Sequence, residues 1–193
     1  MGQKHSAVTT RRRPNELERA IYDATLTQLK AAGYDGVTME NIAARARCSK
    51  GSLYRRWPGK HALIHAALRS QLPPISTAPR GGTARQELFS VLNSFAKVLT
   101  GNASYPELVV MVGLFGDAEI RAIYDELVVG RTVTMLERII LAGICSAEID
   151  AAAVTTLATR MGTALIVQHV LLTQSAPTAS EIRRIIDTMI GQP

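Results

Sequence analysis

Basic and small polar residues are concentrated between Thr38 and Lys60, and their chemistry is that of phosphate binding. This segment holds six Lys or Arg side chains and a single acidic one, Glu40, which gives it a net charge of +5. Lysine and arginine release counterions when they meet phosphate, and Ser or Tyr hydroxyls donate hydrogen bonds to phosphate oxygens. The residue types therefore predict a polyanion as the partner, and by themselves they leave open whether it is nucleic acid or an anionic membrane.

The charge distribution along the 193 residues indicates the same division of roles. Residues 1–70 contain 13 Lys and Arg against 5 Asp and Glu, a net charge of +8, whereas residues 71–193 have a net charge of −2. This asymmetry predicts a polyanion-binding module followed by a nearly neutral body with another role. Because apolar residues make up 47% of the chain, we expect it to fold around a buried core.

The cysteine content and the apolar runs indicate where the protein acts. Two cysteines, Cys48 and Cys145, are too few for a disulfide framework, which favours a reducing compartment. The longest unbroken apolar run, at residues 108–116, is about half of the roughly 18 residues expected for a membrane-spanning helix. No apolar run follows the basic start of the chain as it would in a signal sequence. We therefore expect a cytoplasmic protein without a membrane partner.

Helical periodicity accounts for nearly the whole chain, and no segment alternates with period two as a strand would. The predicted fold class is all-α. A basic, flexible tail at residues 1–14 precedes four predicted helices, and a linker rich in Pro and Gly follows them at 73–82. The predicted helices before the linker lie near 15–33, 39–46, from 50 to the stop at Pro58, and 60–72. Those after it lie at 84–100, 106–115, 118–141, 151–174 and 179–190.

The second and third helices have the spacing of a helix-turn-helix. A turn of three or four residues separates them, and the later one is basic, as a helix that enters the major groove of DNA requires. Leu53 and Trp57, four residues apart, are expected to anchor this helix to Ile42 and to the first helix. An isolated run of charge would favour a solvated helix face, but its coincidence with this pattern favours DNA.

Residues 17–68 resemble the DNA-binding domain of the TetR family of transcriptional regulators. One motif is S-K-G-S-L-Y-R-R-W-P-G-K-x-x-L from Ser49, and the other consists of Ala31, Gly33, Tyr34, Asp35, Gly36, Val37, Thr38, Met39, Ile42 and Ala43. The resemblance implies a three-helix DNA-binding domain at residues 15–72 and a C-terminal effector-binding and dimerisation domain at 83–193. It also implies a homodimer on a palindromic, double-stranded DNA operator. We interpret the protein as a repressor that responds to an unidentified small effector.

The resemblance implies roles for eight residues of this domain. Lys50 and Gly51 would face base edges, Thr38 would cap the second helix and meet the DNA backbone, and Arg55 would reach either bases or phosphates. Phosphate contacts are implied for Ser52, Tyr54, Arg56 and Lys60. The chain departs from the family pattern at Arg47, where glycine is usual. If that turn requires a left-handed residue, Arg47 carries a cost of about 1 kcal/mol.

Residues outside the motif permit more than one interpretation. Arg11, Arg12 and Arg13 form either an arm for the minor groove or a soluble tail. His61 and His65 have a spacing that can hold a metal, but no third ligand can be named, so we expect a structural or surface role and no metal site. Candidate residues for the effector pocket are Asn93, Phe95, Tyr124, Arg160 and His169, although core packing would use them in the same way.

Two apolar stripes near the C-terminus predict either core packing or a dimer. They lie in residues 151–174 and 179–190, and two such antiparallel helices can pair with a second copy as a four-helix bundle. The family resemblance favours the dimer. An activator or an effector-independent regulator would share every motif residue, and a basic adaptor for acidic partners stays possible. An enzyme is not expected, because the sequence offers no Ser-His-Asp arrangement, phosphate loop or metal triad, and no cofactor is implied.

Overall fold

The computed structural model describes residues 14–71, 82–101, 106–155 and 157–192, and all regular structure in these residues is helical. This confirms the predicted all-α fold class. The predicted tail up to Arg13 and the linker at 73–81 lie outside the described residues. The helices are α1 (Pro14–Gly36), α2 (Met39–Ala46), α3 (Lys50–Tyr54), α4 (Lys60–Gln71), α5 (Ala84–Leu99), α6 (Leu108–Val112), α7 (Ala118–Tyr124), α8 (Arg131–Cys145), α9 (Ala158–Thr173) and α10 (Ala179–Ile190).

Helix α1 is the scaffold of the N-terminal domain and packs against α2 and α4. Its inner face buries Ile21, Leu26 and Leu29 completely. The helix ends at Gly36, and Gly33, with φ 64° and ψ −176°, already breaks its regular geometry, so both glycines interrupt the helix as the sequence pattern predicts. Glycine adopts this conformation without steric cost because it has no Cβ. The break directs the chain into α2.

Helix α5 is the centre of the C-terminal domain. Leu88, Leu92 and Phe95 are fully buried on it, where it packs against α8, α9 and α10. Helix α10 follows its predicted bounds because a reciprocal cap defines its start. The backbone N–H of Glu181 donates to Thr178 Oγ1 at 3.3 Å, and the N–H of Thr178 donates to Glu181 Oε2 at 2.7 Å.

The helix predicted at 118–141 is longer and is interrupted. It comprises α7, a π-helical segment at Asp125–Gly130 and α8, which ends at Cys145. A Cβ at Gly130 would lie 3.0 Å from the carbonyl oxygen of Asp125, so the absence of a side chain permits the close approach within this segment. Each hydrogen bond of a π-helix spans one more residue than that of an α-helix. A search for the 3.6-residue period of apolar residues does not distinguish the two kinds of helix.

Three other predicted helices are shorter than expected. Helix α3 ends at Tyr54, before the predicted stop at Pro58. Helix α6 covers only Leu108–Val112 of the predicted 106–115. The prediction of one helix from 151 to 174 was wrong at its start, because Ala151–Ala153 form a 3-10 turn and α9 begins at Ala158. Asp150 Oδ1 accepts a hydrogen bond from the N–H of Ala152 at 2.9 Å, which stabilises the separate turn. Among the described helices, none is long and apolar enough to cross a lipid bilayer.

Candidate nucleic-acid interface

The helix-turn-helix is formed by α2 and α3, and a serine or threonine caps each helix. Thr38 Oγ1 accepts a hydrogen bond from the N–H of Asn41, and Ser49 Oγ accepts one from the N–H of Ser52, both at 3.2 Å. Such caps satisfy backbone donors that the first turn of a helix leaves free. The capping role implied for Thr38 is therefore present. Ser49 was not among the predicted site residues, although its position directly before a short helix is the usual signature of a cap.

Arg47 forms the turn between the two helices in the left-handed conformation, with φ 54° and ψ 51°. The N–H of the next residue, Cys48, donates to the carbonyl of Ala43 at 3.0 Å, which closes the C-terminus of α2. A non-glycine residue in this conformation costs about 1–2 kcal/mol. The turn is therefore left-handed at residue 47, and Arg47 carries the conformational cost that a glycine at this position would avoid.

Apolar side chains hold α3 against the rest of the domain. Leu53 is fully buried with Ile42, and Trp57 is 8% exposed. The Trp57 ring makes an edge contact with Tyr22 of α1, with 5.7 Å between the ring centroids. This confirms the expected anchor. Because the inner face of α3 is occupied in this way, its remaining residues must face outward.

The outward face of α3 carries most of the residues predicted to contact DNA. Lys50, Gly51, Tyr54 and Arg55 are exposed, with half of the Tyr54 surface accessible, and Ser52 is half-buried. A Cβ added at Gly51 would meet nothing within 4 Å. The structure therefore brings these five residues together on one short, accessible surface, which we call the α3 surface.

Lys50 and Arg55 differ in how they are held in the free protein. Lys50 Nζ lies 2.8 Å from Glu40 Oε1 of α2, and the hydrogen bond from Lys50 lowers the pKa of that carboxyl group below its usual value. Both side chains are more than half exposed, so water screens the pair. Arg55 has no ion pair within the described residues. Arg55 can therefore bind an anion directly, whereas Lys50 must first break its ion pair with Glu40.

Arg56 and Lys60 both contact the scaffold helix α1. Arg56 Nη1 is 3.3 Å from Glu18 Oε2, and the other Glu18 oxygen accepts a hydrogen bond from the Tyr22 hydroxyl at 2.8 Å. Burial and this neighbouring carboxylate raise the pKa of Tyr22 to about 12. Lys60 Nζ donates to the carbonyl of Tyr34 at 3.0 Å and lies 4.4 Å from the centroid of its ring. Both cations therefore brace α1, α3 and α4.

The five candidate effector residues do not share one environment. Phe95 and Tyr124 are buried, and Tyr124 contacts the ring of Phe115 at 5.3 Å between centroids. Asn93 is half-buried on α5, and Arg160 is exposed on α9. His169, also half-buried, lines a groove of about 620 Å³ between α9 and α10, which the other four do not line. Their assignment to an effector pocket stays a prediction.

The fold and the α3 surface define a class of protein. A short basic helix is presented by a capped turn, anchored from behind by Leu53 and Trp57, and joined through α4 to a separate helical domain. This is the architecture of a helix-turn-helix DNA-binding protein.

Comparison with known proteins identifies the family. Residues 21–67 match the family model described as bacterial regulatory proteins of the tetR family, and residues 78–189 match the tetracyclin repressor-like C-terminal domain. The second match alone covers more than half of the chain. The chain belongs to the TetR family and is a DNA-binding transcriptional regulator.

Relatives and solved structures extend this result over most of the chain. The HTH-type transcriptional regulator Rv1556 of Mycobacterium tuberculosis is 24% identical over 177 residues, which are 92% of this chain and 86% of that protein. The HTH-type transcriptional repressor KstR of Mycolicibacterium smegmatis is 32% identical over 108 residues, 53% of each chain. The structure of FadR from Bacillus subtilis in complex with stearoyl-CoA has a TM-score of 0.66 at 19% identity and covers 90% of this chain and 98% of that one.

Proposed function

We propose that this regulator is a homodimeric, ligand-responsive repressor that acts in the cytoplasm on a palindromic operator. The observation that carries the proposal is the α3 surface, where Arg55, Tyr54 and Gly51 are exposed and the opposite face of the helix is buried. A major groove about 12 Å wide admits such a helix, and the first residues of the helix then meet base edges. Lys50 and Gly51 occupy those positions.

Exposed leucines on α9 support the homodimer. Leu165 is 38% exposed and Leu172, two helical turns further, is 77% exposed. They line the groove between α9 and α10 together with Ile185 of α10. Two apolar helices that leave leucines in water on one side suit a symmetric four-helix bundle, because a second copy buries the same residues on both protomers.

The dimer would set the distance between the two α3 helices. Two half-sites of an operator lie one DNA turn, about 34 Å, apart on the same side of the duplex. Helix α4 leaves the DNA-binding domain and contacts α7 of the C-terminal domain, so it can transmit a change of that domain to α3. An effector that prefers another separation of the two helices would shift the population towards dimers that do not fit the operator.

The relatives support repression and a small effector. KstR proteins of several bacteria are named repressors, and the similar FadR structure holds stearoyl-CoA. For this chain we propose only that the effector is a small molecule bound by the C-terminal domain. The predicted pocket residues Asn93, Phe95, Tyr124, Arg160 and His169 belong to this proposal.

The test is binding of the purified protein to DNA that flanks its own gene. An equal length of unrelated DNA serves as the reference, at two salt concentrations and with excess competitor. We expect tight binding confined to the flanking fragment, a two-fold-symmetric footprint that overlaps a promoter, and a salt slope that reports several phosphate contacts. Arg55→Ala should weaken this binding, whereas Arg138→Ala, which removes an exposed arginine of α8, should not.

Three results would contradict parts of the proposal. Equal, salt-sensitive binding to both fragments would contradict a local operator. A footprint upstream of the promoter with increased transcription would replace the repressor with an activator. Binding to neither fragment, with retention on anionic vesicles, would favour a basic adaptor.

A further inference from the structure

Three side chains with metal-binding atoms converge where α4 meets α7. His61 and His65 lie four residues apart on one face of α4, with 4.3 Å between their ring centroids. Asp117 stands directly before α7. One ligand atom from each of the three lies within 4.8 Å of the other two. The sequence named no third ligand for the histidine pair because Asp117 comes from the other domain, and only the fold places it here.

Asp117 is fixed so that one oxygen faces both imidazoles. Its Oδ1 accepts hydrogen bonds from the N–H groups of Glu119 and Ile120, at 2.9 and 3.2 Å, and caps α7. Its Oδ2 contacts His61 Nε2 and lies 3.9 Å from His65 Nε2. The cap thus leaves one negatively charged oxygen directed at two ring nitrogens.

His65 is oriented by a second carboxylate. Its Nδ1 lies 3.1 Å from Glu119 Oε2, so a ring proton on Nδ1 would be donated to that carboxylate, which would leave the Nε2 lone pair for a metal. That Nε2 atom is buried and has no hydrogen-bond partner within the described residues. A buried polar atom without a hydrogen-bond partner is unfavourable, because it has lost its contacts with water and gained none in return. His65 Nε2 and Asp117 Oδ2 lie 3.9 Å apart with no hydrogen bond between them, and a metal cation at this place would bind both atoms.

We propose that His61, His65 and Asp117 bind one divalent transition-metal ion of the Zn²⁺, Co²⁺ or Ni²⁺ type. Two imidazole nitrogens and one carboxylate oxygen suit these ions, whereas Mg²⁺ and Ca²⁺ prefer oxygen ligands throughout. Bonds of about 2.0–2.1 Å separate tetrahedral ligand atoms by roughly 3.3 Å. All three side chains are partly exposed, so small rotations reach that spacing. Glu119 holds His65 as outer carboxylates commonly hold metal-binding histidines.

The position of this site connects it to DNA binding, and this step rests on the proposed function. His61 and His65 belong to α4, the last helix of the DNA-binding domain, and Asp117 belongs to the C-terminal domain. A metal bound to all three would restrict the angle between α4 and α7. Because that angle positions α3 in the dimer, we expect metal to change operator affinity by at least fivefold, within the range of typical coupling between two sites.

The first experiment titrates the full chain, stripped of metal with a chelator, with Co²⁺. We expect one equivalent per protomer, a visible absorption band of a low-coordinate Co²⁺ site, displacement by Zn²⁺ and a higher Tm in the presence of metal. His61→Ala, His65→Ala and Asp117→Asn should each weaken Co²⁺ binding at least tenfold. Asn retains the cap of α7, so the Asp117 variant should fold normally. His169→Ala is the matched control and should bind like the unchanged protein.

The proposal is overturned if the chain shows no absorption band at micromolar Co²⁺. It is also overturned if Co²⁺ binding survives the substitution of His61, of His65 and of Asp117, as it would if one of the other two histidines, His5 or His169, bound the metal. Glu119→Gln separates the outer role from direct ligation, and we expect a loss of about tenfold without a change in stoichiometry.

Operator binding with and without Zn²⁺ distinguishes this proposal from the proposed function. Specific DNA binding by a protein that binds no metal would overturn the metal site and leave the regulator intact. A protein that binds metal through the expected ligands but does not bind its operator would support the metal site and overturn the proposed function. Operator affinity that is identical with and without metal would overturn the coupling alone.

Discussion

The two domains of this protein differ in what they leave exposed to water. Among the described residues of the N-terminal domain, Tyr54 is the one exposed large hydrophobic side chain, and it lies among exposed cations on the α3 surface. The C-terminal domain exposes Val109, Val112, Leu141, Leu157, Leu165, Leu171 and Leu172. Exposed cations suit a polyanion, and clustered exposed leucines suit an apolar partner. The contrast supports different roles for the two domains, DNA binding for the first and the proposed dimer contact for the second.

The largest effect should follow from making the leucine surface of α9 polar. We expect Leu165→Glu with Leu172→Glu to convert the proposed dimer to a monomer. Each buried leucine contributes about 1.5–3 kcal/mol, and a symmetric dimer would lose four buried leucines. Sedimentation measures the mass, and operator affinity should fall at least a hundredfold. Leu141→Glu, at a leucine of α8 that is 62% exposed, is the control. A dimer that persists would place the contact elsewhere and weaken the comparison.

The next effect tests the cationic side of the comparison. Arg55→Ala should cost about 1–3 kcal/mol of DNA binding per protomer if Arg55 contacts a base, and reduce the salt slope by about one if it contacts phosphate. The free energy of unfolding should change little, because Arg55 is exposed and has no ion pair within the described residues. Affinity measured at several salt concentrations separates the two roles. An unchanged affinity and slope would remove Arg55 from the interface.

A smaller effect concerns the backbone of the turn that presents α3. Arg47→Gly should raise the free energy of unfolding by about 0.5–1 kcal/mol, because glycine adopts φ 54° without strain. Arg45→Gly removes the same charge from the last turn of α2 and should lower the free energy of unfolding, by up to about 1 kcal/mol. Denaturant unfolding of both variants gives the two signs. Equal destabilisation by both would show that the conformation at residue 47 carries no cost.

The smallest effect sharpens the role of the Lys50 pair. Glu40→Gln removes the carboxylate that holds Lys50 Nζ at 2.8 Å, so the lysine meets DNA without giving up a partner. We expect affinity for unrelated DNA at low salt to rise about twofold to fivefold. The Tm should stay unchanged, since the pair is exposed and screened. Glu137→Gln, at an exposed glutamate of α8, should have no effect on DNA.

The N-terminal domain was predictable because the interactions that define its helices join residues close together in the chain. Thr38 and Ser49 cap helices through hydrogen bonds to residues three positions later, and Leu53 and Trp57 form an anchor within one turn. The sequence also indicated that the turn at Arg47 could be left-handed, because the TetR family usually has glycine at this position. Arg56 and Lys60 were harder to place, since their partners, Glu18 and the Tyr34 carbonyl, lie 38 and 26 residues away.

The C-terminal domain shows where sequence patterns are insufficient. Leu157, Leu165 and Leu172 lie in the apolar stripe predicted within residues 151–174, yet all three are exposed. Helix α9 buries Ala158, which also belongs to that stripe, and in addition Gly162, Ile166 and Val170. A helix that is apolar on more than one side has no unique inner face until its neighbours are placed. The π-helical segment at Asp125–Gly130 and the 3-10 turn at Ala151–Ala153 likewise lie inside stretches that the sequence pattern assigns to single continuous helices.

By itself the sequence determined the helical class, the helix-turn-helix and the family, because these depend on composition, periodicity and residues close together in the chain. Tertiary structure decided which leucines face water, which cations brace the scaffold, and that Asp117 meets His61 and His65. Contacts of this kind join residues many positions apart, and their geometry depends on the packing of every helix between them. The surface that binds DNA could be found by spacing, whereas the cluster between the two domains exists only in the folded chain.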